Sequence, residues 1–169
     1  SMEKNSKNIF TDKMLFNFLY LGLIRVSLPN SKIIVCQRDY RDIFVSMIKN
    51  YFTEAKMGFA FHEEYLLNYI QFYHHVLNFW KSKLSSFIHI VKYEDLVRDQ
   101  VQITKKILDF CQVEWDDNCL AFNNNENIVK TLSSTQVRSG IYKHSLNTWK
   151  VHEKHYYEIF QKLNSLQEK

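Results

Sequence analysis

Apolar residues run almost without interruption from Leu15 to Val26, through Phe16, Phe18, Leu19, Tyr20, Leu23 and Ile24. That length predicts a buried helix rather than a strand. Pro29 follows and ends it, because proline cannot continue the hydrogen-bond ladder. Lys32–Cys36 is a short β-branched run between turn residues, the mark of a buried strand. From Asp39 to Tyr51 the apolar positions Ile43, Phe44, Met47, Ile48 and Tyr51 fall at helical spacing. A longer helix is expected from Glu63 to Leu84, with Leu66, Tyr69, Ile70, Tyr73, Leu77, Trp80 and Leu84 as its stripe. Phe87–Val91 reads as a second buried strand, followed by a helical turn over Glu94–Val97. Helices over Val101–Cys111, Asp116–Phe122 and Glu153–Leu166 complete the pattern. Between the last two lies the longest irregular stretch, Asn123–Lys150, polar at first and then rich in Ser and Thr. Irregular runs of that length are usually functional or mobile. Strands alternating with helices argue for an α/β chain with a parallel sheet.

Composition narrows the picture. With 169 residues the chain is long enough for one domain with a real core. Only 3 Gly and 1 Pro exclude collagen-like, linker-rich and turn-dense chains. They also exclude a glycine-rich phosphate loop within the chain. The net charge of +4 is mildly basic, and the cations are scattered, with no run longer than Lys105–Lys106. Nucleic-acid grooves show denser clustering, so no nucleic-acid partner is expected. A small anionic ligand suits the same balance. The three cysteines have no metal-ligand spacing, and their odd number favours a reducing, cytoplasmic compartment. No apolar stretch of about 20 residues encodes a membrane span. His74 and His75 are neighbours on different helix faces, and His152 and His155 lack a third ligand nearby, so no metal is expected. No Gly-x-Ser-x-Gly elbow starts a serine triad.

Three constellations can carry chemistry. In Cys36-Gln-Arg-Asp-Tyr-Arg-Asp42, Arg38 leaves the carboxyl end of a strand, with Ser46 about two turns into the next helix. Ligands of open α/β sheets bind at that crest. A guanidinium and a hydroxyl together suit a phosphate. The same charges, Arg38, Asp39, Arg41 and Asp42, also fit a solvated capping and salt-bridge cluster. The second constellation is Thr131–Tyr142, where hydroxyls, Gln136, Arg138 and Gly140 share one loop. Its backbone N–H groups and hydroxyls make an anion nest, or an ordinary polar surface loop. The third is Lys92-Tyr-Glu-Asp-Leu-Val97 straight after a strand. Tyr93 offers a ring face or a hydroxyl to a ligand, or is a core tyrosine at a strand end. Thr11-Asp12-Lys13 reads by composition only as a helix cap with a nearby cation.

Six stretches in this order resemble sulfotransferases that use 3'-phosphoadenosine-5'-phosphosulfate (PAPS), nearest the bacterial and tyrosylprotein branch. They are Thr11-Asp-Lys-Met, Leu28–Val35, Arg38–Asp42 with Ser46, Tyr93–Val97, Ile107–Cys111 with Trp115, and Ser133–Arg138. The resemblance covers Thr11 to about Trp149. It implies a three-layer, P-loop-like sulfotransferase fold with a parallel sheet. Residues 1–169 would form a single, N-terminally incomplete domain, its opening strand and phosphate loop absent from this chain. Family members occur in bacterial cytoplasm and in the Golgi lumen.

The resemblance also implies roles. Arg38 and Ser46 look like the pair that binds the donor's 3'-phosphate. Tyr93 looks like a donor-contacting tyrosine. Ser133, Ser134, Thr135, Gln136, Val137, Arg138, Ser139 and Gly140 look like the loop over the nucleotide. Lys13 and Ser133 look like the catalytic groups that stabilise charge on the transferring sulfuryl. The implied reaction moves that sulfuryl from PAPS to an acceptor hydroxyl or amine and releases adenosine 3',5'-bisphosphate, without a metal. The partners are then the nucleotide donor and an acceptor the sequence does not identify, with a homo-oligomer also compatible. The general base is expected upstream of Ser1. A non-catalytic nucleotide-binding or structural fragment is the alternative. Tyr40 stands where the family usually has proline, and Asn50 and Thr148 stand where the tyrosylprotein branch carries basic donor contacts.

Overall fold

The computed structural model describes residues 9–50, 52, 55–121 and 146–168. The chain is a mixed α/β structure built on two parallel strands, β1 (Ile33–Gln37) and β2 (Ile88–Lys92). Their register runs from Ile33 opposite Ile88 to Gln37 opposite Lys92. Both strands lie within one residue of their sequence-predicted bounds. The β-branched run of β1 does not bury both faces, however: Ile34 and Cys36 point to solvent.

The expected helix over Leu15–Val26 is two pieces. A 3-10 helix over Leu15–Tyr20 continues into α1 (Leu21–Ser27). Gly22 lets α1 approach the long helix α3 (Glu63–Lys83), because a Cβ there would run into the Trp80 ring. Arg25 ties off the end of α1, with its guanidinium over the Phe87 ring at 3.5 Å and Nη1 donating to the Pro29 carbonyl at 2.6 Å.

The crossover from β1 to β2 passes through α2 (Tyr40–Lys49), a 3-10 helix over Ala55–Phe61, and α3. After β2 come α4 (Tyr93–Arg98) and α5 (Gln100–Cys111), capped by Asp99, whose side chain accepts from the Gln102 N–H. Only a 3-10 turn, Asp117–Cys119, forms where a helix over Asp116–Phe122 is expected. The closing helix α6 (Tyr157–Gln167) begins four residues later than its apolar spacing predicts, after a separate 3-10 helix over Thr148–His152 and a turn over residues 153–156.

The main core lies between α2, α3 and α6. Phe44, Leu66 and Leu163 have no exposed surface, and Tyr40, Val45, Ile70, Trp149 and Phe160 pack with them. Edge-to-face aromatic pairs extend it, with Phe44 against Tyr156 at 5.2 Å and Trp149 against Phe160 at 5.7 Å. This packing fixes α2 and therefore the residues at its N-terminus, which lie at the carboxyl end of β1.

Candidate nucleotide-binding crest

β1 ends at Gln37, and Asp39 caps α2 by accepting from the Arg41 N–H at 2.9 Å. Arg38 therefore sits in the single link between strand and helix. The neighbouring crest loop is fastened to this one: the Asp39 N–H donates to Glu94 Oε1 at 2.8 Å. Tyr93, the first residue of α4, brings its ring centroid to 5.4 Å from Arg38 Cζ. This is within the reach of a cation–π contact. Of the residues singled out in the sequence, Arg38 and Tyr93 are the two brought together here.

A cleft of about 410 Å³ opens at the carboxyl ends of both strands; Arg38 lines it, and Tyr93 lines neither this cleft nor a second one beside it. The cations of the first cleft are Arg38, Lys81, Lys92 and Arg98. The acids on its rim are already engaged in part, since Asp39 holds Arg41 through Nε at 3.0 Å and Nη2 at 2.6 Å, and Asp95 pairs with Arg98 at 3.1 Å. The hydrogen bonding of its guanidinium to the Asp39 carboxylate is the main reason Arg41 holds its proton more tightly than usual. A second cleft of about 380 Å³ shares Asp39, Glu94 and Arg98 with the first, and reaches Asp42 and Asn147. Both volumes fall in the range that small-molecule ligands occupy.

Tyr40 is buried, and its hydroxyl meets His74 Nδ1 at 3.1 Å. Asn78 Nδ2 contacts the other ring nitrogen of His74 at 2.8 Å. His74 and Asn78 thereby form a fixed polar wall of the first cleft. Burial pushes the hydroxyl of Tyr73 up to about 12, and that of Tyr40 higher still, so both remain neutral near pH 7.

The remaining expectations fall in other places. Ser46 is half-buried on α2 and lines neither cleft; its carbonyl accepts from Asn50 Nδ2 at 2.5 Å. Lys13 is exposed in the extended stretch before Leu15 and also lines neither cleft. Ser133, Ser134, Thr135, Gln136, Val137, Arg138, Ser139 and Gly140 lie outside the described residues. Of the α3 aromatics, Tyr65 and Phe72 are exposed and Tyr73 is half-buried. Among the described residues, no group of three or more His, Cys, Asp or Glu side chains is placed to hold a metal ion. No helix among them is long and apolar enough to cross a membrane.

Sequence reasoning underrated Asp42. It reads as part of a solvated cluster, yet it is 1% exposed. Its carboxylate accepts from the Asn147 N–H at 2.9 Å, the Thr148 hydroxyl at 2.8 Å and the Trp149 N–H at 3.0 Å. Its position four residues after Arg38 and four before Ser46, between the apolar Ile43 and Phe44 on one side and Arg41 on the other, was the available signal.

Comparison with known proteins agrees with this architecture. A family model described as "Sulfotransferase family" matches residues 2–117, more than half of the chain. A protein of Aquifex aeolicus (strain VF5), described only as uncharacterized, is 32% identical over 146 residues. The matched region is 85% of this chain and 19% of that protein, so the chain spans about a fifth of the relative's length. With two parallel strands, a basic crest at their carboxyl ends and this match, the chain belongs to the sulfotransferase family.

Proposed function

We propose that this chain binds the nucleotide donor PAPS and takes part in moving its sulfuryl group to an acceptor hydroxyl or amine, releasing adenosine 3',5'-bisphosphate. The observation that carries the reading is the crest: Arg38 at the end of β1, set over Tyr93, at the mouth of a cleft with three further cations. A planar guanidinium binds phosphate oxygens in pairs, and the low dielectric of a cleft strengthens the bond. Arg38 is assigned to the donor's 3'-phosphate, with Ser46 as its hydroxyl partner, and Tyr93 contacts the same nucleotide. Arg138 and the hydroxyls and backbone of residues 133–140 complete the donor site.

Transfer requires the acceptor oxygen or nitrogen to bond to sulfur as the bond from sulfur to the bridging oxygen breaks. The acceptor's proton leaves to a base, and negative charge develops on the departing bisphosphate. Lys13 and Ser133 are assigned to that charge. The exposed position of Lys13, away from both clefts, favours a second reading, in which the chain binds nucleotide without catalysing transfer.

Thermal unfolding tests the first part. A ligand at 100 times its Kd adds about 2.7 kcal/mol to the native state, or about 5–10 °C in Tm at this chain length. Adenosine 3',5'-bisphosphate is expected to give such a rise, and Arg38→Ala is expected to remove most of it. No rise at millimolar ligand would overturn the donor-site reading. Sulfate transfer from PAPS, assayed over a panel of hydroxyl and amine acceptors, separates catalysis from binding alone.

A further inference from the structure

Carboxylates are rarely buried completely unless they are paired. Among the described residues Asp42 is the buried carboxylate, and its hydrogen-bond donors come from a segment more than a hundred positions later in the chain. Oδ1 accepts from the Thr148 hydroxyl and the Trp149 N–H, and Oδ2 from the Asn147 N–H. These are groups at the start of the 3-10 helix Thr148–His152, whose own first N–H groups have no carbonyl inside the helix to bond. Asp42 caps that helix from across the core. Asn147 takes a left-handed backbone, φ 58°, to aim its N–H at the carboxylate, a conformation asparagine tolerates better than most residues. The same segment is gripped a second time. The Arg41 guanidinium, held by Asp39, lies over the Trp149 ring at 3.8 Å.

The side of Asp42 that faces the crest meets Arg38. Oδ2 is 3.8 Å from Arg38 Nη2, an ion pair longer than a hydrogen bond. Arg38 is thus placed between a buried anion and the Tyr93 ring. A long side chain fixed before a ligand arrives loses less rotamer freedom on binding, and that preorganisation raises affinity.

We propose that Asp42 is a positioning residue for the donor site: it orients Arg38 toward the nucleotide's 3'-phosphate and makes that orientation depend on the docking of Asn147–Trp149. The inference rests on the donor-site reading above. The carboxylate keeps its charge, but three donors from the docked segment hold its oxygens in place, so Arg38 stays at ion-pair distance from it and is not drawn into a direct hydrogen bond. Removing those donors would leave a bare carboxylate to draw Arg38 inward into a direct hydrogen bond.

The test compares two probes, adenosine 3',5'-bisphosphate and adenosine 5'-phosphate, titrated calorimetrically into the wild type, Arg38→Ala, Asp42→Asn and Thr148→Val. The ratio of the two affinities isolates recognition of the 3'-phosphate. Asp42→Asn is expected to cut that ratio by about tenfold, with the affinity for adenosine 5'-phosphate within about twofold of the wild type. Thr148→Val keeps the side-chain shape and removes one donor, and should cut the ratio by about two- to threefold. Should Asp42→Asn fail to fold, an unchanged ratio in Thr148→Val overturns the inference. Equal losses for both nucleotides would also overturn it, since they indicate a structural role alone. A wild type that prefers the bisphosphate, with the preference lost in Arg38→Ala but kept in Asp42→Asn, overturns only this inference. A wild type with no preference overturns the donor-site reading and this inference with it.

Discussion

Between α2, α3 and α6, Phe44, Leu66 and Leu163 have no exposed surface, whereas on β1 Ile34 is 40% exposed and Cys36 also faces solvent. On the far side of the sheet, α5 leaves every one of its residues at least partly accessible. The helical cluster closes over its apolar side chains, whereas no residue of β1 is fully buried. Arg38 stands where the two regions meet, with its backbone fixed by α2 and its side chain at the crest of the strands. The comparison separates what holds the molecule together from what the crest needs. Stability should be concentrated in the helical cluster, and the sheet's exposed face should tolerate change.

The largest expected effect comes from opening the helical cluster. Phe44→Ala leaves a cavity among Tyr156, Phe160 and the α3 side chains and should cost about 3–5 kcal/mol in urea denaturation. A loss under about 1 kcal/mol would show that this cluster is not the stabilising core.

Alkali offers a second route into the same region. Burial pushes both Tyr69 and Tyr73 from 10.0 up to about 12, so the folded state favours their neutral forms. Their contribution is complete below pH 10 and is lost as pH rises from 10 through 12, where the unfolded chain has already released those protons. Denaturation midpoints measured over that window should fall, and tyrosinate absorbance should show a late-titrating fraction in the folded protein. A single titration near the ordinary tyrosine value would contradict the burial of this cluster.

Tyr40→Phe tests the border between core and cleft. It keeps the ring and removes the hydroxyl that meets His74, and should cost about 0.5–1.5 kcal/mol. On the sheet's open face, Ile34→Thr should change stability by less than about 0.5 kcal/mol, because its side chain is already in water to a large extent. A loss comparable to that of Phe44→Ala would mean that the face is covered in solution, and would erase the contrast.

Much of this arrangement was legible in the sequence because it is local. The stripe from Leu66 to Leu77 places α3, and β-branched runs place β1 and β2, since helical and strand periodicities act over a few residues. Burial was less legible. Ile34 and Cys36 belong to a run that reads as buried on both faces, and only the tertiary arrangement determines whether a second layer covers it. The close packing of Gly22 on Trp80 is likewise a tertiary contact that no local pattern announces.

At the candidate site the same division holds. The Arg38 position followed from its place after a strand, and Tyr93 from its place after the next one. The role of Asp42 depends on Asn147, Thr148 and Trp149, which no local pattern connects to it. A charge inside an amphipathic helix reads as surface when its partner lies a hundred residues away.

The measurement on which this account stands is the affinity of adenosine 3',5'-bisphosphate for the wild type and for Arg38→Ala, determined by calorimetric titration at constant ionic strength. The account predicts saturable binding by the wild type, weakened about ten- to a hundredfold by loss of the charge-assisted bonds from Arg38. Equal affinity in the two proteins, or no binding by either, would contradict it.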